Sequence, residues 1–509
     1  MVLHPSHLFN KSDFIMSIKD ATIQEVDQAL LQSNNAFSKY AQTALKERAA
    51  LLRAIAVELD ALGDALIQVT MSETNLTEVR LKGERARTIF QLNSYADACE
   101  RGDWLEVSIN TADAQRVPPK PDVRKTKLPL GPVVVFGSSN FPFAYSTAGG
   151  DTASALAAGC TVIVKAHPAH PMTSNMVHGA IKKALKNLNM DEDIFIHMHG
   201  ASTQVGEALV KHALTKAVGF TGSFQGGMAL FNWANGRTEP IPVFAEMGSV
   251  NPVYLFPEKL KEQTEFFAQQ YAESITLGVG QFCTNPGLII GVEGELLDAF
   301  IRMLGEKIAA ISAGKMLHEG IANAYKLKSK EAVDQYRVRV AGRSKDVDDS
   351  ISGTPLVATV DAETFLANRL LSEEVFGPFS LVVACRDMNQ LHAVASSMKG
   401  QLTSTLIATE TELHDHQTLV NTIASKCGRL ILNGVPTGVE VCLAMQHGGP
   451  FPATTDARFT SVGGDAIKRF ARPVAYQNFS NDLLPDELKN ENPLKIWRTV
   501  NDVFTKDAV

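Results

Sequence analysis

The 509-residue chain lacks several things, and each absence narrows its function. No apolar run approaches the roughly 18 residues of a membrane-spanning helix, so no membrane partner is expected. Basic charge is short: 48 Lys and Arg stand against 55 Asp and Glu, leaving no positive footprint for nucleic acid. Cysteine is sparse and scattered. Cys99, Cys160, Cys283, Cys385, Cys427 and Cys442 include no CxxC pair and no disulfide framework, which points to a reducing, cytoplasmic compartment. The opening "MVLHPSHLFNKSDFIMSIKD" has no charged start followed by an apolar stretch, so neither a signal nor a transit peptide is expected, and Met16 offers an alternative start. Internal repeats and low-complexity tracts are missing as well.

What is present suits a soluble enzyme. Hydrophobic residues make up 45% and charged residues 20%, enough for large cores, and the length implies two or three domains. From Ala21 to Asn75 apolar residues recur at three- and four-residue spacing, the mark of amphipathic helices. The segment Ala112 to Pro132 breaks that pattern with prolines and basic residues and reads as an extended arm. Beyond it, "PVVVFG", "TVIVKAH", "IFIHM" and "KAVGFTG" are β-branched runs separated by helical stretches. Such alternation implies βαβ units with a parallel sheet, whose ligands sit beyond the carboxyl ends of the strands. A second mixed stretch, Glu246 to Gly449, contains "EEVFGPFSLVVACRD" and "SKCGRLILNG", each read as a turn with a buried strand. The polar tail with "LLPDELKNENPLKIW" reads as a short docking helix.

Short motifs then follow in order at predicted strand ends and glycine-rich loops. "FGSSNFPF" offers Asn140, "VIVKAHPAHP" offers Lys165, and "GFTGSFQGG" places Gly222 and Ser223 at a helix start, where amides and the helix dipole favour phosphate. "FAEMGSVNP" offers Glu246, and "TLGVGQFCTNPG" sets Cys283 among small residues. Each has an ordinary explanation alone. Cys283 reads equally as a small buried hydrophobe, Asn140 and Ser223 as caps, Lys165 and Glu246 as surface charges.

Taken in order, the motifs resemble the aldehyde dehydrogenase superfamily over nearly the whole chain. Asn140-Phe141-Pro142, Lys165, Phe220-Thr221-Gly222-Ser223, Glu246 with Gly248, Gly280-Gln281-Phe282-Cys283 and Glu374-Val375-Phe376-Gly377-Pro378 match its signatures. The resemblance implies an α/β fold of two Rossmann-like domains plus a small β oligomerisation arm. Residues 1–111 and 128–245 are then the nicotinamide-binding domain, 246–449 the catalytic domain, and 112–127 with 460–485 the arm and tail. It also implies that Cys283 attacks an aldehyde, that Asn140 and the Cys283 N–H hold the developing oxyanion, and that Glu246 activates water against the thioester. Lys165 and Glu374 would hold cofactor ribose hydroxyls, Gly222 and Ser223 a phosphate, and Phe376 the nicotinamide end. A homodimer is implied by the arm and by the segment near Arg472 to Gln477.

The sequence departs from the pattern in places. Ser139 replaces the aromatic residue that often precedes Asn-Phe-Pro. Pro168 stands where NAD-preferring relatives often carry Glu, which permits NADP, yet neither Pro168 nor Thr203 supplies a cation for its phosphate, so the cofactor is NAD or NADP. "NGVPTGVEVCLAMQHGGPFPATTD", with His447, and "RPVAYQ" resemble the branch holding α-ketoglutaric semialdehyde (2,5-dioxovalerate) and NADP-dependent fatty aldehyde dehydrogenases. The semialdehyde, 2,5-dioxopentanoate, is the expected substrate and a long-chain aldehyde the alternative. His447 is placed near Cys283, as a catalytic or a structural residue. A dicarboxylic product calls for a cation near the tunnel mouth, with Arg116, Arg124 and Arg458 as candidates. Rival readings are a metal enzyme built on His414 and His416 or on His167 and His170, for which no spaced third ligand is visible, a coenzyme A-acylating enzyme, which Glu246 disfavours, and a non-catalytic binding member, which would be expected to lose Cys283 or Glu246.

Overall fold

A computed structural model describes residues 19–346 and 349–509; the opening segment expected to carry no signal or transit peptide, and Met16, lie outside the described residues. Among the described residues four helices come first: α1 (Ile23–Tyr40), α2 (Leu45–Ala61), α3 (Gly63–Thr74) and α4 (Glu78–Arg101). α1 starts at a capping box in which Thr22 Oγ1 accepts from Glu25 N at 3.2 Å and Glu25 Oε2 accepts from Thr22 N at 2.7 Å. α4 stops at Gly102, whose φ of 70° is the left-handed conformation that ends helices. Two strands follow, β1 (Ser108–Asn110) and β2 (Val123–Pro129).

The alternating region then builds β3 (Val133–Phe136), α5 (Gly150–Ala158), β4 (Val162–Lys165), α6 (Pro171–Asn187), β5 (Phe195–Met198), α7 (Thr203–Lys211), β6 (Ala217–Thr221), α8 (Phe224–Asn235) and β7 (Val243–Glu246). Its five strands form one parallel sheet in the order β5-β4-β3-β6-β7. Register pairs Phe136 with both Lys165 and Phe220, and Thr221 with Glu246, so Lys165, Thr221 and Glu246 share one carboxyl edge. Helices cover both faces, which explains why Val133, Val134 and Val135 have almost no exposure.

A second sheet is assembled from β8 (Val253–Leu255), β9 (Leu288–Val292), β11 (Arg339–Arg343), β13 (Leu356–Asp361), β14 (Phe379–Cys385), β15 (Gln401–Ile407) and β16 (Cys427–Leu432), while β10 (Gly314–Lys315) and β12 (Ser352–Gly353) form a small ribbon beside it. Its order is β11-β13-β14-β9-β8-β15-β16, parallel except for the antiparallel edge strand β11. β16 corrects one expectation: "SKCGRLILNG" is a strand but not a buried one. It closes the sheet, so Leu430 and Leu432 stay 40% and 50% exposed.

The third sheet joins the C-terminal segment to β1 and β2. β17 (Ala471–Gln477) pairs antiparallel with β2, and β18 (Arg498–Val500) and β19 (Val503–Thr505) extend the far side beyond β1. The expected tail helix is absent among the described residues. Pro485 and Pro493 limit the segment to one-turn 3₁₀ pieces, Asn481–Leu483 and Asp486–Leu488, before the β18–β19 hairpin. Among the described residues no helix is long and apolar enough to cross a membrane.

Candidate active site

Cys283 is presented by an unusual turn. Gly278, Val279 and Gly280 take φ of 55°, 59° and 64°, a run of left-handed residues at the end of the helix Pro257–Thr276. For a β-branched residue such as Val279 this conformation is strained by about 1–3 kcal/mol, so its surroundings must hold it. Gly280 shows how. A Cβ there would lie 2.3 Å from the carbonyl of Gly377, so only glycine lets "GQFC" press against "EVFGP". Asn285 Nδ2 donates to that same Gly377 carbonyl at 3.2 Å, and Asn251 Nδ2 donates to the carbonyls of Cys283 and Asn285, both at 2.9 Å. Cys283 itself ends up half-buried.

Glu246, the last residue of β7, faces it from the first sheet and is 4% exposed. The segment 453–455 runs along β7 as an extra edge: Met247 N donates to Ala453 O at 2.7 Å, Thr455 N to Ala245 O at 3.1 Å, and Thr454 bridges Glu246. This brings in His447, 2% exposed, whose Nε2 lies 3.0 Å from Glu246 Oε1 and 3.7 Å from Cys283 Sγ. Ser461 Oγ donates to Glu246 Oε2 at 2.9 Å, and Ser461 N donates to the His447 carbonyl at 2.8 Å. His447 N donates to Thr460 Oγ1 at 2.9 Å, so the imidazole is carried on a braced backbone.

The electrostatics of the pair run in opposite directions. Burial pushes the Cys283 thiol well above its ordinary range, and the nearby Glu246 charge adds to it. Burial also opposes ionisation of Glu246, but the His447 ring and the hydrogen bonds from His447, Ser461 and Cys283 outweigh it and hold the carboxyl below its ordinary value. Glu246, Ser461, Thr460 and Thr454 border a cavity of ≈ 20 Å³, room for about one water. Glu246, Cys283 and His447 are also the one group among the described residues whose ligand atoms all lie within 4.8 Å, a thiol–imidazole–carboxylate set able to ligate a metal. The other histidine candidates make different contacts. His167 and His170 stack at 5.5 Å, His170 Nε2 meets Ser138 O at 2.8 Å, and His416 packs on Phe256.

Asn140 comes to the same place from the loop after β3. Its Nδ2 donates to Gln281 O at 3.2 Å, two residues before Cys283. α4 pins this loop: Arg80 Nη2 donates to Asn140 O at 2.8 Å, and Glu84 Oε1 accepts from Phe143 N and Ala144 N at 2.8 and 3.0 Å.

The dinucleotide candidates line the adjoining edge. Burial lowers the Lys165 ammonium to about 8, against the opposing charge of Asp20, and its Nζ makes no hydrogen bond among the described residues. Ser223 caps α8, its Oγ accepting from Gly226 N at 3.2 Å. Gly222 donates its N–H to Glu246 O at 3.0 Å, so that group braces the loop. Glu374, pushed up to about 7 by burial, stands over Gly248, where a Cβ would lie 2.5 Å from its Oε2, and Phe376 follows it half-buried. The poorly solvated, unpaired Lys165 amine and the open N-terminus of α8 fit a ribose and a phosphate.

Sequence reasoning missed Ser461, Asn251 and the arginines of the site, since no local motif marks them. Of its three cation candidates, Arg116 donates to Pro118 O on the arm, Arg124 is bound to Asp122 and Leu488 O in β2, and Arg458 is exposed and paired with Asp456. Each is engaged with other partners, whereas Arg80, Arg87 and Arg429 are within electrostatic reach of the thiol.

Comparison with known proteins agrees with this fold. The family model described as "Aldehyde dehydrogenase family" matches residues 5–450. Alpha-ketoglutaric semialdehyde dehydrogenase 2 of Azospirillum brasilense is 48% identical over 93% of this chain and 90% of its own, and the alpha-ketoglutaric semialdehyde dehydrogenase of Acinetobacter baylyi is 45% identical over 96% and 93%. Among solved structures, glyceraldehyde-3-phosphate dehydrogenase GapN from Methanocaldococcus jannaschii, complexed with NADP, superposes with a TM-score of 0.77 at 18% identity, over 90% of this chain and 95% of that one.

Proposed function

This chain belongs to the aldehyde dehydrogenase family, and from that premise we propose that it oxidises 2,5-dioxopentanoate to 2-oxoglutarate with a nicotinamide dinucleotide, NAD or NADP. The observation that carries the reading is the meeting of Cys283, Glu246 and His447, brought from three separate segments to within 4.8 Å. The 45–48% relatives with that activity over nearly the full chain support the choice of substrate.

Cys283 Sγ attacks the aldehyde carbon. Because burial keeps the thiol protonated at rest, its proton must leave as the bond forms, and the ionised Glu246, to which the thiol donates, and His447 Nε2, 3.7 Å from Sγ, are the groups in reach to take it. The alkoxide that develops accepts from the free N–H of Asn140 Nδ2 and from the Cys283 N–H, each such donor being worth about 3 kcal/mol. Lys165, Ser223, Glu374 and Phe376 would hold the dinucleotide, whose nicotinamide would supply the hydride acceptor for this carbon. The thioester on Cys283 is then attacked by water, whose proton passes to Glu246, and the C–S bond breaks to release the carboxylate and restore the thiol. The cavity beside Glu246 and Ser461 has room for that water.

By the same reading, residues 128–245 with the N-terminal helices bind the dinucleotide, 246–449 carry the nucleophile, and the β2–β17 ribbon pairs two subunits into a homodimer. Equilibrium sedimentation is expected to show a dimer; a monomer at micromolar concentration would remove that part. The primary test is kcat/KM for 2,5-dioxopentanoate, succinic semialdehyde and a long-chain aldehyde, each with NAD and with NADP. A lead for the first substrate is expected, and a lead for the long-chain aldehyde would overturn the substrate.

A further inference from the structure

The reactive atoms of Cys283, His447 and Glu246 have the spacing of a metal-ligand set. His447 Nε2 lies 3.0 Å from Glu246 Oε1 and 3.7 Å from Cys283 Sγ, and the three ligand atoms all fall within 4.8 Å of one another. In a tetrahedral zinc site, with Zn–N and Zn–O near about 2.1 Å and Zn–S near about 2.3 Å, neighbouring ligand atoms stand about 3.3–3.6 Å apart. The two measured spacings straddle that range. Small side-chain movements therefore bring all three donors onto a common centre.

Their chemistry fits the same ion. A thiolate and an imidazole select zinc over magnesium or calcium, which prefer oxygen ligands. A thiolate and a carboxylate together cancel the charge of a divalent ion, which lowers the cost of holding it in a buried place. The Arg87 charge, within electrostatic reach, opposes a cation here but favours the thiolate form that ligates. The donors are braced from behind as well, as metal ligands usually are. Ser461 Oγ donates to Glu246 Oε2 at 2.9 Å and leaves Oε1 to the ring, His447 N donates to Thr460 Oγ1 at 2.9 Å, and Asn251 Nδ2 donates to the Cys283 carbonyl at 2.9 Å. Cys283 is only half-buried, so an ion can approach it from the side the aldehyde uses. The cavity of ≈ 20 Å³ bordered by Glu246 and His447 has room for a water as fourth ligand.

We propose that Cys283 Sγ, His447 Nε2 and Glu246 Oε1 bind a single zinc ion, which inhibits the enzyme reversibly by occupying the nucleophile. Binding replaces the S–H bond with an S–Zn bond and releases a proton to solvent, with no change of oxidation state. The ion is an inhibitor and not a cofactor, because the sulfur electron pair that attacks the aldehyde is committed to the metal while it is bound. The ligand set stands on geometry; the inhibition rests on Cys283 being the nucleophile.

The test uses the full-length enzyme, Zn²⁺ held at set free concentrations by a chelating buffer, and Co²⁺ as a coloured substitute. Zinc should bind at one equivalent per chain and inhibit in competition with the aldehyde; EDTA should restore activity, and Mg²⁺ should have no effect. Co²⁺ should give a thiolate-to-metal charge-transfer band together with the visible bands of a four-coordinate ion. In Cys283→Ala that charge-transfer band should vanish and the zinc Kd should rise by about 100-fold or more, with a rise of about 10-fold or more in His447→Ala and in Ser461→Ala. Fluorescence titration with reduced nicotinamide checks that each variant is folded. Zinc protection of Cys283 against iodoacetamide, read by mass spectrometry of its peptide, needs no variant. Absence of both that protection and the cobalt charge-transfer band in the unsubstituted enzyme, or a zinc Kd unchanged in both Cys283→Ala and His447→Ala, would overturn the proposal. Zinc bound at the thiol with turnover undiminished would overturn the inhibition, and with it the catalytic reading of Cys283, and keep the metal site.

Discussion

The two parallel sheets bring chemistry to the same cleft by different means. In the first, Lys165, Ser223 and Glu246 stand at or just beyond strand ends, and strand register alone sets Lys165 and Glu246 on one edge. In the second, Cys283 sits on a strained turn held by contacts from two other segments, through Gly280 and Asn285 on Gly377 and Asn251 on Cys283. A register-borne edge tolerates local change. A turn defined by close backbone approach does not.

The largest expected effect breaks the second half outright. Cys283→Ala should lower dehydrogenase turnover by roughly 10⁴-fold or more while nicotinamide binding, read by fluorescence titration, stays near its original affinity. Turnover within 100-fold of the original would remove the thiol from the mechanism. Changing the opposing half at Glu246 should act differently. Glu246→Gln should keep a fast burst of reduced nicotinamide and slow the steady state by about 10²–10⁴-fold. The same variant has a pH signature. Since the Glu246 charge helps push the Cys283 thiol up, its removal should move the midpoint of thiol alkylation to lower pH. A move to higher pH would show the carboxylate acting chiefly as the thiol's base.

A pair of glycine variants sharpens the contrast. Gly280→Ala drives a Cβ into the Gly377 backbone at a positive φ and should destabilise the protein by about 2–4 kcal/mol, seen as a lower Tm, with activity falling too. Gly222→Ala meets only the Phe220 ring, a side chain that can turn aside, and should cost about 1 kcal/mol or less. Equal costs would show that the two loops are held alike. The smallest effect is expected from Ser461→Ala. Losing one donor to Glu246 should raise that carboxyl and shift the acid limb of the pH–rate profile upward, with a rate loss of about fivefold.

Much of this contrast is visible in the sequence. The β-branched runs before Asn140, Lys165 and Ser223 are the parallel strands β3, β4 and β6, because a strand buried on both faces must be apolar throughout and must end in turn residues. The tail was misread for a physical reason: its helix-like spacing is cut by two prolines, and strand pairing with β1 outweighs it. Ser461 and Asn251 carried no signal, since each acts on Glu246 or Cys283 across a long loop of chain and resembles any other polar residue locally. Arg116, Arg124 and Arg458 were the expected cations, and each is engaged with other partners. Nothing in the sequence distinguishes a guanidinium with a buried unpartnered N–H from one on the surface.

By itself, then, the amino-acid order determined the family, the alternating α/β architecture and the identities of the reactive side chains, because hydrophobic period, turn chemistry and ordered motifs are local properties. Tertiary structure alone decided that His447 Nε2 reaches both Cys283 and Glu246 and that the Cys283 thiol is held up while the Glu246 carboxyl is held down. Those outcomes depend on burial and on distances between residues remote in sequence, and both come into existence only when the two sheets close on one another.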